Sequence, residues 1–216
     1  MIIISSPQEQ SYIIQYSKVM FTTIREPALR LERIHHHNEE EEEDSQGSSS
    51  SSCLRALIRL PNASSSSSMD IDMEIEALLL ELEAKEVAYS LKAVTEVSLE
   101  FLSNDFAKNN EMMRRLMAKL GEKMPRLEVF KMVNYSHSAT SSSAAASTEK
   151  IPQVSILALL ELFAHAPASF KSFISNGAVC WTGNQEDYQA LAQVLKNKSV
   201  CPQLEVFQSV EILEAT

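Results

Sequence analysis

The sequence predicts an α/β fold: a short right-handed solenoid of parallel strands with helices on one side, preceded by a disordered N-terminal region. Three observations carry this expectation. Helix-like and strand-like segments alternate from Asp70 onward. The strand-like segments recur at a near-constant interval. Two of them share a phrase, since Met124–Val133 reads MPRLEVFKMV and Cys201–Val210 reads CPQLEVFQSV.

Taken in order, residues 1–34 form a poorly defined N-terminal segment. Its stretch Tyr12–Ile34 has enough apolar content for a strand or short helix that docks on the folded part. Residues 35–69 read as a disordered linker. Three histidines (His35–His37), the acidic run Glu39–Asp44 and two serine runs flank one apolar island, Leu54–Leu60. Such composition buries too little apolar area to offset the entropy of ordering it. The histidines sit beside carboxylates but lack the fixed geometry of a metal site, so they read as a solvated tract.

The folded domain is expected over 70–216, with a Ser/Ala-rich insertion at 136–148. Four sets of apolar residues fall at helical spacing: Ile75, Leu78, Leu79 and Leu82; Met113, Leu116, Met117 and Leu120; Ile156, Leu159, Leu160 and Phe163; Tyr188, Leu191, Ala192 and Leu195. A spacing of i, i+3, i+4 and i+7 places each set on one helix face. Pro152 suits the first turn of the third helix. Asn184 with Asp187 three residues on suits the start of the fourth. The methionines of the second helix read as core filling.

Between and after the helices lie Val94–Phe101, Leu127–Val133, Phe170–Asn176 and Leu204–Val210. Strands separated by helices pair in parallel, because each crossover returns the chain to the same end. Aligned on their first apolar residue, Val94, Leu127, Phe170 and Leu204 are 33, 43 and 34 residues apart. The long interval contains the insertion. Three residues further on stand Val97, Phe130, Phe173 and Phe207. Proline precedes three of the four strands, at Pro125, Pro167 and Pro202, where it stops the helix. A repeat of 20–50 residues is the mark of a solenoid.

Helix, then P-x-L-x-x-[LF], then a short strand, resembles the leucine-rich repeats of the ribonuclease-inhibitor class. The stretch Ala190–Val210 (ALAQVLKNKSVCPQLEVFQSV) carries the resemblance best, and it extends over roughly Ile75–Ile212. The family pattern L-x-x-L-x-L-x-x-N/C-x-L is kept in part. Its third apolar position holds Leu99 and Met132 but then Ser175 and Ser209, and its Asn/Cys position holds Leu102, Tyr135, Ala178 and Ile212. The resemblance implies degenerate repeats with a concave strand face. The rival fold is a doubly wound sheet, whose central strands read as continuous apolar runs. Here Glu96, Glu128, Lys171 and Glu205 interrupt the strands, as do Lys131 and Gln208, which leaves one sheet face polar.

Composition narrows the function. The 216 residues carry a formal net charge of −10, which disfavours phosphate-backbone binding, so no nucleic-acid partner is expected. Three cysteines, Cys53, Cys180 and Cys201, form neither a disulfide framework nor a C-x-x-C pair. The N-terminus lacks a basic region before its apolar run, and no stretch approaches the roughly 18 apolar residues of a membrane span. Together these predict an intracellular (cytoplasmic or nuclear) protein with no membrane association. The four glycines are dispersed, unlike a phosphate-cradling loop. His137 and His165 are the candidates for acid–base chemistry. The placement of His165 at a helix end favours capping instead. No catalytic residues, metal ligands or cofactor are therefore assigned.

A non-enzymatic protein–protein interaction module follows, with a protein or peptide partner on the concave strand face. The predicted partner-binding residues form two rows, Glu96, Val129, Ser172 and Val206, and Ser98, Lys131, Ile174 and Gln208. Flanking rows are Thr95, Glu128, Lys171 and Glu205, and Glu100, Val133, Asn176 and Val210. Trp181 joins the set as an interface anchor, with a plug under its loop as the other reading. Two alternatives stand beside this function. One is a fragment or degenerate copy of a larger repeat protein without independent activity, self-associating through an open C-terminal repeat. The other is a doubly wound α/β enzyme of unknown reaction.

Overall fold

A computed structural model describes residues 28–35, 52–60, 68–102, 110–134, 151–175, 177–197 and 200–209. In chain order the elements are β1 (Leu29–His35), β2 (Ser52–Arg59), α1 (Ser68–Glu83), α2 (Lys85–Leu91), β3 (Val94–Phe101), α3 (Asn110–Lys123), β4 (Val129–Asn134), β5 (Gln153–Ser155), α4 (Ile156–His165), β6 (Ser172–Ile174), β7 (Cys180–Thr182), α5 (Gln185–Lys196) and β8 (Val206–Gln208). The fold is mixed α/β. Six strands make one sheet in the order β1-β2-β3-β4-β6-β8, and β5 pairs with β7 separately. Within the large sheet only β1 and β2 are antiparallel; the other neighbours are parallel.

Strand order in the large sheet follows chain order without reversal. The helices follow the same progression, with α1 against α3, α3 against α4, and α4 against α5. Right-handed crossovers that all step in one direction set their helices on one face of a sheet. The helix stripes expected from the sequence meet that face. Ile75, Leu78, Leu79 and Leu82 are buried, as are Met113, Leu116, Met117 and Leu120. In α5 the stripe is looser, since Leu191 is buried and Ala192 is exposed.

Register explains the repeated phrase. Leu31, Ala56, Val97, Phe130, Phe173 and Phe207 stand opposite one another across all six strands. The last three rings stack, with centroids 5.9 Å apart from Phe130 to Phe173 and 5.5 Å from Phe173 to Phe207. Phe163 of α4 reaches across from the helix layer and meets Phe170, Phe173 and Phe207. The backbone repeats as well. The amide of Leu127 donates to Met124, that of Phe170 to Pro167, and that of Leu204 to Cys201, closing one tight turn before each strand. Glu128 then donates to Thr95, Lys171 to Glu128, and Glu205 to Lys171. The same bond thus recurs from unit to unit. In the last unit Leu204 and Phe207 are only half-buried, whereas Leu127, Phe130, Phe170 and Phe173 are fully buried.

Local details set the helix ends. Asn184 and Asp187 form a reciprocal cap on α5, each side-chain oxygen accepting the other's amide at 2.9 Å. Pro152 departs from expectation. It precedes β5 and accepts from the amide of Cys180, while α4 begins at Ile156 with Ser155 as its cap. The pairing of the three-residue extended segment Gln153–Ser155 with β7 displaced the helix start. His165 does close α4, with Nδ1 bonded to the Glu161 carbonyl at 2.9 Å. Gly121 lets α3 approach that end, because a Cβ there would lie 3.0 Å from the His165 backbone.

The linker expectation over 35–69 is corrected at both its apolar island and its end. Ser52–Arg59 forms an inner strand of the sheet, and Ser68 already belongs to α1. The alternation in CLRALIRL provides both faces of β2, and the parallel partner β3 supplies hydrogen bonds that composition alone does not reveal. Leu29–His35 likewise joins the sheet as β1. The remainder of residues 1–34 and 35–69, the 136–148 insertion and His137 lie outside the described residues, as do Asn176 and Val210.

Phe173 touches four other aromatic rings. Phe173→Ala is therefore expected to cost about 3–5 kcal/mol, measured by urea unfolding.

Candidate interaction face

The sheet face opposite the helices is built from alternate residues of each strand. Register brings the two predicted rows together as drawn from the sequence. Glu96, Val129, Ser172 and Val206 are paired in succession, and so are Ser98, Lys131, Ile174 and Gln208. Both rows extend further than expected, because Arg55 precedes Glu96 and Leu57 precedes Ser98 on β2. Glu32 of β1 stands beyond Arg55. The flanking row from Thr95 to Glu205 is joined by the recurring backbone bond.

This face has two chemically distinct halves. Over β2 and β3 it is a network of paired charges. The carboxylate Oε1 of Glu96 accepts from Arg55 Nη2 at 2.8 Å and from Lys131 Nζ at 2.9 Å. Glu100 accepts from Arg59 Nε at 2.9 Å. Glu96 is 4 % exposed and Glu100 2 %. Opposite charges on adjacent strands are the cross-strand pairs that stabilise a sheet, and burial makes their removal more costly than at an open surface. Ser98, between the two carboxylates, is also buried.

From β4 to β8 the face opens. Val129, Lys131, Val133, Ser172 and Ile174 are half-buried, and Val206 and Gln208 are exposed. Its apolar members are short β-branched side chains separated by Lys131, Ser172 and Gln208. At its rim Lys171 donates to Glu128 Oε2 at 2.9 Å, and this contact, followed by Glu205, raises the Lys171 pKa. The geometry offers shape, apolar contact and hydrogen-bonding side chains. Among the described residues it brings no group of three or more metal-ligating side chains together.

Three of the predicted contact residues are buried. Glu96 and Ser98 belong to the rows, but their burial leaves them little surface for a partner. Trp181 is on β7, 7 % exposed, with its ring 6.1 Å from Phe173. Its Nε1 donates to Ser209 at 2.7 Å, and its carbonyl accepts from Tyr188. It packs in the core, which matches the plug reading of this residue. The residues missed were Arg55 and Arg59. Their signal was the alternation of Arg with Leu, Ala and Ile in Cys53–Leu60, overshadowed by the serine tracts around it.

Cys201 is buried beneath α4, which pushes its thiol pKa up. No described helix is long and apolar enough to cross a membrane. Glu96→Ala is expected to lower stability by roughly 2 kcal/mol, less than the full loss of a buried pair because Arg55 and Lys131 keep some access to water. Lys171→Ala, whose bridge lies in solvent, leaves the urea midpoint unchanged. No protein-family model, curated protein or solved structure matches this chain.

Proposed function

We propose that this chain is a short α/β solenoid that works as a non-enzymatic interaction module, taking a protein or peptide partner on the open sheet face of β4, β6 and β8. The observation that carries the reading is the unbroken strand order with its recurring inter-unit bond. A sheet laid down in one direction has no point where order reverses, which is where open α/β sheets form a ligand crevice. It offers instead a continuous face on which equivalent positions line up. The position of the exposed side chains supports the same reading. Val129, Ile174 and Val206 give apolar contact, and Lys131, Ser172 and Gln208 give polar contact, in adjoining rows.

Burial of two or three such side chains accounts for a specific but modest interface. The polar half over β2 and β3 is internally paired and acts as a rigid support. Lys131 links the halves, since it bonds Glu96 while lying in the row with Ile174.

The test is affinity capture from native extract with the full chain and with Ile174→Lys combined with Val206→Lys. Circular dichroism confirms that the variant is folded. The reading expects proteins retained by the original chain to be lost, at least tenfold, from the variant. Equal recovery of every retained protein would reject this face as the binding surface.

A further inference from the structure

The helix layer carries a second surface with chemistry unlike the sheet face. α1 is apolar on two opposite sides. Ile75, Leu78, Leu79 and Leu82 face the core. Met73 and Leu80, one heptad apart, lie on the other side and are 71 % and 63 % exposed. Ala77, between them, is also exposed. A surface helix ordinarily turns polar residues outward, and here two large apolar side chains stand on the outer side instead. Tyr89 on the following helix, α2, is 79 % exposed. Leu80 also lines a groove between α1 and α3, a recess beside the stripe that can receive a side chain.

Carboxylates border this stripe on both sides. Glu76 and Glu83 face α3, where they pair with Arg115 at 2.9 Å and Lys119 at 3.0 Å. Helical geometry sets Glu74 and Glu81 along the opposite border. Glu81 has no ion pair among the described residues, and partial burial raises its pKa, so a cation brought next to it would be favoured. From Asp72 to Leu91 there are six acidic residues and one basic residue, Lys85.

We infer that α1 and α2 form a docking face for a cationic amphipathic helix of another protein. Two turns of such a helix span the separation of Met73 and Leu80, about 10 Å at 1.5 Å per residue. Its apolar residues cover the stripe in the manner of a helix laid in a groove. Its Lys and Arg side chains meet the acidic border. Charge selects this occupant. A second copy would set the net-acidic Asp72–Leu91 segment against itself, and like charges across an interface are disfavoured.

A fluorescent Leu/Lys helical peptide of about 18 residues, titrated by anisotropy against the full chain, tests the inference. The variants are Met73→Ala with Leu80→Ala, which keep helix propensity and leave the net charge at −10. Nonspecific attraction to an acidic protein therefore survives in them. Binding at least tenfold weaker in this double variant, and weaker in Glu81→Gln at low salt, is the expected result. Equal affinity in the double variant overturns the inference, as does equal binding of a Leu/Glu peptide or no binding of the Leu/Lys peptide. A concentration-dependent dimer abolished by Met73→Ala and Leu80→Ala would assign the face to a second copy instead.

Discussion

Stacking of one aromatic position from strand to strand is the constraint on which the fold rests. Phe130, Phe173 and Phe207 stack because β4, β6 and β8 are adjacent, parallel and in one register. Those conditions make each intervening helix step the same way across the sheet. Phe163 then ties the helix layer to the stack. Because large aromatic side chains dominate core energetics, a register slip would cost several such contacts at once. The tight turn before each strand serves the same end. It places a first apolar residue inward at Leu127, Phe170 and Leu204, and the ladder residue inward again three positions later.

Much of this was legible in the residues themselves. The spacing of Val94, Leu127, Phe170 and Leu204, and of the ladder three positions on, was sufficient to align the units and the rows of the open face. That worked because the repeat fixes which strand positions meet. Three features were hidden for physical reasons. β2 lies between serine tracts, and its order depends on strands contributed from elsewhere in the chain. β5 and β7 are three residues each, too short for a period-2 pattern to emerge. The burial of Glu96, Ser98 and Trp181 depends on neighbours from other strands and helices, which a single segment does not report.

The two candidate surfaces divide along the same structural line. On the sheet, charged residues near β2 and β3 are matched pairwise and leave the apolar and polar side chains of β4 to β8 as the accessible part. On the helices, α3 supplies cations to one border of α1, while the outer stripe keeps its exposed Met73 and Leu80. Matched charges lie beside exposed apolar groups in both places.

The most direct measurement is the thiol-labelling rate of single cysteines placed along the sheet, in a chain whose native Cys53, Cys180 and Cys201 are replaced by serine. A one-sided sheet gives fast labelling at Lys131→Cys, Ser172→Cys and Ile174→Cys, and slow labelling at Val97→Cys and Met132→Cys on the helix side. Protection of both sets alike would contradict an open face and with it the proposed mode of binding.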